Sequence, residues 1–548
     1  MDAASFLIIV MISAAVGILT ALSFGFRIVR LPSGKRTESI RSLGRGTFTM
    51  MKREHGVSIL TMGALTVLIA FFNITIAATF FVGALLFFTL LIITTVTIAV
   101  ASSRIAEAAR ESAKKADRIA LLSSTALGLL LTGGALLSLT AILYVEYVYA
   151  GKTWDASIEP LIGLCGGIAG ALLILRNTES APTEETSVLL LSFVSSLFAA
   201  MLLGWSTIGT EAALFFPLVI TGFSILSCII AGFFVRMGKR AHSSKIIMRG
   251  ILLSTLFTIA AGYIIAQRFF PDAMANGVTI AFVMGPIASL LLTIITQYYS
   301  SLEHPPGRLS PAEANARSIA FGHLSTAAPI LIIAFTIGIA DIAAGTYGIA
   351  LAALSVLTPL SLSLSLHVYE GMAIEAERYA KAHHQSAQAS MHLIELAVTG
   401  KNLQKGSRVS LSGILTLTAC ALLFIFMRRD ASGIALSEPM ILIGLILGGT
   451  LPFLFSSLTK GGRDHAISAV FVLLIPLLVG FIFGSPVLTG FLTGAIITGV
   501  PLAISTMMSG GTLSLRNSPH HIIGTLLQSL IIISILTTGW YSEGGLLS

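Results

Sequence analysis

Apolar runs of about eighteen residues or more recur from one end of the 548-residue chain to the other. Each is long enough to cross a hydrocarbon core as a helix. Such a run must satisfy its own backbone hydrogen bonds, which a helix does within the segment and strands do only in a closed barrel. The runs show no period-two alternation and are about twice as long as barrel strands of about ten residues. The sequence therefore predicts an all-α, polytopic membrane helical bundle of about sixteen transmembrane helices. The expected spans lie near 5–26, 56–73, 77–101, 119–145, 158–175, 188–204, 212–235, 250–266, 275–298, 318–340, 346–366, 409–427, 439–458, 465–483, 488–508 and 522–540. Residues 1–548 read as a single membrane-integral helical domain. Only Asp2, and no basic residue, precedes the first run, so it reads as a retained helix and not a cleaved signal.

Charge supplies the orientation. Only 11% of the residues are charged against 55% hydrophobic, and mean hydropathy is +0.92. Of the 33 lysines and arginines, 29 fall in loops that follow odd-numbered spans; Lys152, Arg268, Arg428 and Arg429 are the exceptions. Basic residues accumulate on the cytoplasmic side of membrane proteins, so both termini are expected outside. The net charge of +8 is thus a topology signal and excludes nucleic-acid binding as the explanation of the basic balance. The expected surroundings are the lipid bilayer of a cell membrane. Cys165, Cys228 and Cys420 all lie within spans, without metal-ligand spacing, and read as small core residues.

Several stretches carry a family likeness. Residues 345–371, "GTYGIALAALSVLTPLSLSLSLHVYEG", residues 295–306, "ITQYYSSLEHPP", residues 451–459, "LPFLFSSLT", and residues 476–511, "PLLVGFIFGSPVLTGFLTGAIITGVPLAISTMMSGG", are long and collinear blocks. They resemble the membrane-integral pyrophosphatases, sixteen-helix pumps that couple pyrophosphate hydrolysis to proton or sodium export. The resemblance implies that fold and a homodimer. It also implies a cytoplasmic shell of aspartates holding several Mg²⁺ ions around pyrophosphate, because a hard divalent ion takes oxygen ligands in octahedral geometry.

At the positions that would carry this chemistry the chain departs from the family. Between the fifth and sixth spans "RNTESAPTEETS", residues 176–187, holds no Asp and no Lys. On the eleventh helix the family's aspartates align with His367 and Ile374, leaving Glu370 and Glu375 nearby; on the twelfth, a D-x-x-D pattern becomes His392 and Glu395. Later metal and phosphate positions fall on Met508, Ser514 and Leu515, and an Asp-rich loop shrinks to "RNSPHH". The acidic gate positions of the sixth helix read Val188 and Leu191, and the lysine of the last helix reads Gln528.

His367, Glu370, Glu375, His392, Glu395 and Lys401 are accordingly the candidates for a vestigial or rebuilt site. The two H-x-x-E pairs each occupy one helical face and, under the family packing, would look into one cavity able to hold a transition metal; the plainer reading is a pair of solvated helix ends. Lys401, Lys405, Arg408, His383, His384, His520 and His521 either form a weak anion vestibule or are topology charges. The polar stretch at 102–118 reads as a helix joining the third and fourth spans. The leading expectation is a homologue that has lost hydrolysis and pumping and acts as a membrane scaffold or subunit of a larger assembly, with no cofactor. The alternatives are an active cation pump with a rebuilt site, which would need Mg²⁺, and a passive channel or carrier.

Overall fold

The computed structural model describes residues 3–30, 60–71, 73–174, 181–236, 243–300, 314–382, 386–429, 438–458, 464–509 and 520–537. Every regular element among them is helical. In order these are α1 (Ala3–Val29), α2 (Leu60–Ala70), α3 (Ile74–Glu111), α4 (Ala113–Tyr144, running into a π turn at Val145–Tyr149) and α5 (Trp154–Ile174). There follow α6 (Ala181–Ile208), α7 (Glu211–Arg236), α8 (Ser243–Phe269), α9 (Asp272–Ser300) and α10 (Ala314–Val356). The last are α11 (Leu360–Ala382), α12 (Ala387–Arg429), α13 (Pro439–Leu458), α14 (Asp464–Ser509) and α15 (His520–Leu536). Among the described residues nine helices are long and apolar enough to cross a membrane, and five shorter apolar helices accompany them.

Local chemistry sets the ends and breaks. Asn73 caps α3, its side-chain oxygen accepting from the backbone N–H groups of Thr75 and Ile76 at 2.9 and 3.1 Å. The helix then runs past its apolar stretch to Glu111, so the polar segment at 102–118 is divided between the end of α3 and the start of α4. Extended backbone at Ser112 makes the division. Gly345 in α10 and Gly484 in α14 adopt φ of +63° and +81°, conformations open to glycine, and each breaks a long helical run in two. Helix α12, by contrast, is continuous for 43 residues and begins well before its apolar stretch. Polar residues there keep good helix propensity, whereas hydropathy marks only the part inside lipid.

Burial divides the bundle into two layers. Of the apolar window of α6, 94% of residues are buried, against 33% for α1 and 22% for the 326–356 stretch. Helix α5 and helix α15 are likewise enclosed along most of their described apolar length, as is the first half of α11. Helices α1, α8, α9, α10 and α13 instead expose Leu19, Leu256, Ile294, Phe335 and Ile446. An apolar face of this kind is stable against lipid tails and not against water. Close approach between helices rests on small residues, most clearly where α13 meets α14. There Gly444 and Gly448 lie against the backbone at Val487 and Phe491, and Gly490 and Gly494 lie against that at Ile441 and Leu445.

Candidate functional site

Helix α11 positions three of the six candidate residues, and its two faces do different work. Along one face, Ser361 and Thr132 of α4 share a 2.7 Å hydroxyl contact, and Tyr369 donates to Asp117 Oδ1 at 2.6 Å. On the same face Ser102 of α3 donates to the Met372 carbonyl at 3.2 Å. Residues 361, 365, 369 and 372 thus form one stripe at helical spacing, bound to α3 and α4. His367 and Glu370 lie roughly opposite that stripe on α11, a helix that also packs on α12 and α6. Both are buried, at 2% and 8% exposure, so the chain places an imidazole and a carboxyl in the interior at the end of the bundle that carries the basic loops.

The remaining candidates lie further along α11 and on α12. Glu375 is half-buried and pairs with Arg378 at 2.6 Å, one turn along α11. His392 sets Nδ1 3.1 Å from the carbonyl oxygen of Ala109 at the end of α3, and Glu395, one turn further, is exposed. Lys401 lies on α12, with its side chain outside the described residues. The side chains of Lys405, Arg408, His520, His521 and Met508, and residues 383–384 and 514–515, also lie outside them. Among the described residues no three His, Cys, Asp or Glu groups are arranged to hold a metal ion. The two H-x-x-E pairs are therefore not drawn into one metal centre: His392 is turned to α3 by its carbonyl contact. Nor do the described donors suit Mg²⁺, which wants several oxygen ligands in an octahedron.

Val188 and Leu191 of α6 and Gln528 of α15, the positions that read as a gate in the family likeness, lie in the enclosed layer. Val188, Leu191 and Gln528 are all at 1% exposure or less. Gln528 Nε2 donates to Ser192 Oγ at 3.1 Å, while that hydroxyl donates to the Val188 carbonyl at 2.9 Å. A neutral amide and a neutral hydroxyl thus join α15 to α6. No Asp, Glu, Lys or Arg occurs in residues 188–210, 413–427 or 522–536, so this part of the interior carries no formal charge of its own.

Two features escaped the sequence reading. Arg104 is buried at 4% exposure, with Nη1 donating to the Val100 carbonyl at 2.7 Å and Nη2 to Val29 at 3.2 Å, which ties the end of α1 to α3. The Tyr369–Asp117 bond does the same for α11 and α4. Burial, the Asp117 charge and that hydrogen bond all push the Tyr369 hydroxyl well above the ordinary tyrosine range, so it stays neutral. A run of small residues around Arg104, "ASSRIAEAA", is the signal that this polar segment is packed and not solvated.

A layered bundle of helices, with an enclosed inner layer and apolar side chains exposed on its outer one, defines a multi-pass integral membrane protein. More narrowly, the chain belongs to the inorganic H+ pyrophosphatase family, whose profile matches residues 185–466. The K(+)-insensitive pyrophosphate-energized proton pump of Methanosarcina mazei is 27% identical over 91% of this chain and 89% of its own length. The K(+)-insensitive pyrophosphate-energized proton pump 2 of Moorella thermoacetica is 22% identical over 75% of this chain and 76% of its own.

Proposed function

We propose that this member of the family keeps the bundle but neither hydrolyses pyrophosphate nor pumps ions. It acts as a membrane scaffold or as a subunit of a larger assembly, as a homodimer with both termini outside and without a bound cofactor. The neutral Ser192–Gln528 contact carries this reading. An ion pump needs an ionisable group deep in the bundle that can be charged and discharged, and α6 and α15 supply none there. The pairing of Glu375 with Arg378, the contact of His392 with Ala109 and the Asp-free stretch at 176–187 support it from the catalytic side.

The length of the match to the Methanosarcina mazei proton pump favours a second reading, an active pump whose site is rebuilt around Glu370, Glu375, His392, Glu395 and Lys401. Phosphate release from Mg²⁺-pyrophosphate by purified protein, with and without K⁺, separates the two. The scaffold reading expects release no faster than from empty membranes. Sustained turnover that falls at least about tenfold in Glu370→Gln would overturn it and establish the pump.

A further inference from the structure

Hydroxyls inside the bundle follow a rule: Ser196, Ser534, Thr132 and most other buried Ser and Thr donate to a carbonyl three or four residues back. Thr418 of α12 breaks it, and so do Ser195 and Ser529. Both serines are fully buried, and neither side-chain oxygen has a hydrogen-bond partner in the protein. Leaving one such hydroxyl unsatisfied costs about 1–3 kcal/mol.

The two belong to one locus. Ser195 is one turn beyond Ser192 on α6, and Ser529 directly follows Gln528 on α15, so both flank the hydrogen bond that joins these helices. Ser529 also shares a face of α15 with Leu536, seven residues on, and Leu536 reaches Gly166 of α5. Helix α5 closes the α6 side as well, where Cys165 Sγ lies 4.0 Å from the carbonyl oxygen of Val194. Three helices thus surround two unpaired hydroxyls and small side chains.

We infer that this α5–α6–α15 junction is a binding site for a small neutral hydrogen-bonding molecule, namely water bridging Ser195 and Ser529. A bridging water satisfies both oxygens at little entropic cost, and buried waters typically make about three such bonds. A cation is a poor occupant: residues 161–174, 188–208 and 522–536 contain no acidic side chain to offset its desolvation. The inference is independent of whether the protein hydrolyses pyrophosphate, and phosphate release does not enter its test.

The test is a double-mutant cycle with Ser195→Ala and Ser529→Ala, each a loss of one oxygen, in purified full-length protein. Each single change lowers the apparent Tm by about 1–3 °C, and the double change lowers it no further than the larger single, because one bridging molecule is lost once. Hydroxyl radicals generated from bound water by an X-ray beam report the occupant directly. Oxidation of Cys165 falls about twofold or more when both hydroxyls are removed. Additive effects, singles that leave Tm unchanged or raise it, or Cys165 oxidation equal in parent and double variant each overturn the site.

Discussion

Tyr369 and Asp117 show how much one side chain can decide at the edge of this bundle. The tyrosine hydroxyl is held neutral in the fold, whereas in the unfolded chain it ionises near about pH 10. Above that pH the unfolded chain has released a proton that the folded one keeps, so stability falls as pH rises further and is unaffected below. Apparent Tm between pH 7 and 11 should show this alkaline loss. Tyr369→Phe should remove part of it, while lowering stability at pH 7 by the loss of a bond to a charged acceptor, about 1.5–3 kcal/mol. Arg104 is the companion case. Arg104→Ala should be strongly destabilising, and Arg104→Lys should rescue little, because one ammonium cannot reproduce a planar fork spanning the Val100 and Val29 carbonyls. Urea or thermal denaturation of the three proteins decides it. At this scale the sequence was only partly legible. Gln528 stood out as an uncharged residue where the family has lysine, but its partner did not, since a serine in an apolar helix ordinarily bonds its own backbone and no pattern marks the one that is also reached across the gap.

Among elements, the contact of α13 with α14 is the most sensitive to a single methyl group. A Cβ on Gly448 would meet the Phe491 backbone, which cannot yield as a flexible side chain does. Gly448→Ala should force the two helices apart and lower the yield of monodisperse protein in detergent, whereas Gly25→Ala, which meets nothing, should leave it unchanged. Size-exclusion chromatography reads the difference. The α6–α15 contact makes a contrasting prediction: Gln528→Leu keeps a neutral interior and should be tolerated, while Gln528→Lys introduces a charge with no carboxylate in residues 188–208 or 522–536 and should lower Tm by several degrees. Helix identity was readable from apolar length, because lipid imposes it. The breaks were less so: Ser112 divides a polar run by backbone conformation alone, and α12 extends beyond its apolar stretch where hydropathy is silent. The candidate carboxylates and imidazoles were readable as residues but not as neighbours, since helical spacing places His392 and Glu395 on α12 without saying that His392 turns to Ala109.

For the molecule as a whole, the outer helices meet lipid and the enclosed ones meet each other, so fold and membrane residence follow from the same apolar runs. Val188, Leu191 and Gln528, enclosed between these helices, are all neutral. Moving one elementary charge across the membrane involves about 2.3 kcal/mol for each 100 mV. The join between α6 and α15 consists of an amide and a hydroxyl, so a local rearrangement of that join carries no charge through the field. Membrane voltage therefore has no handle on this part of the protein, and its arrangement there should be the same in an energised cell and a de-energised one.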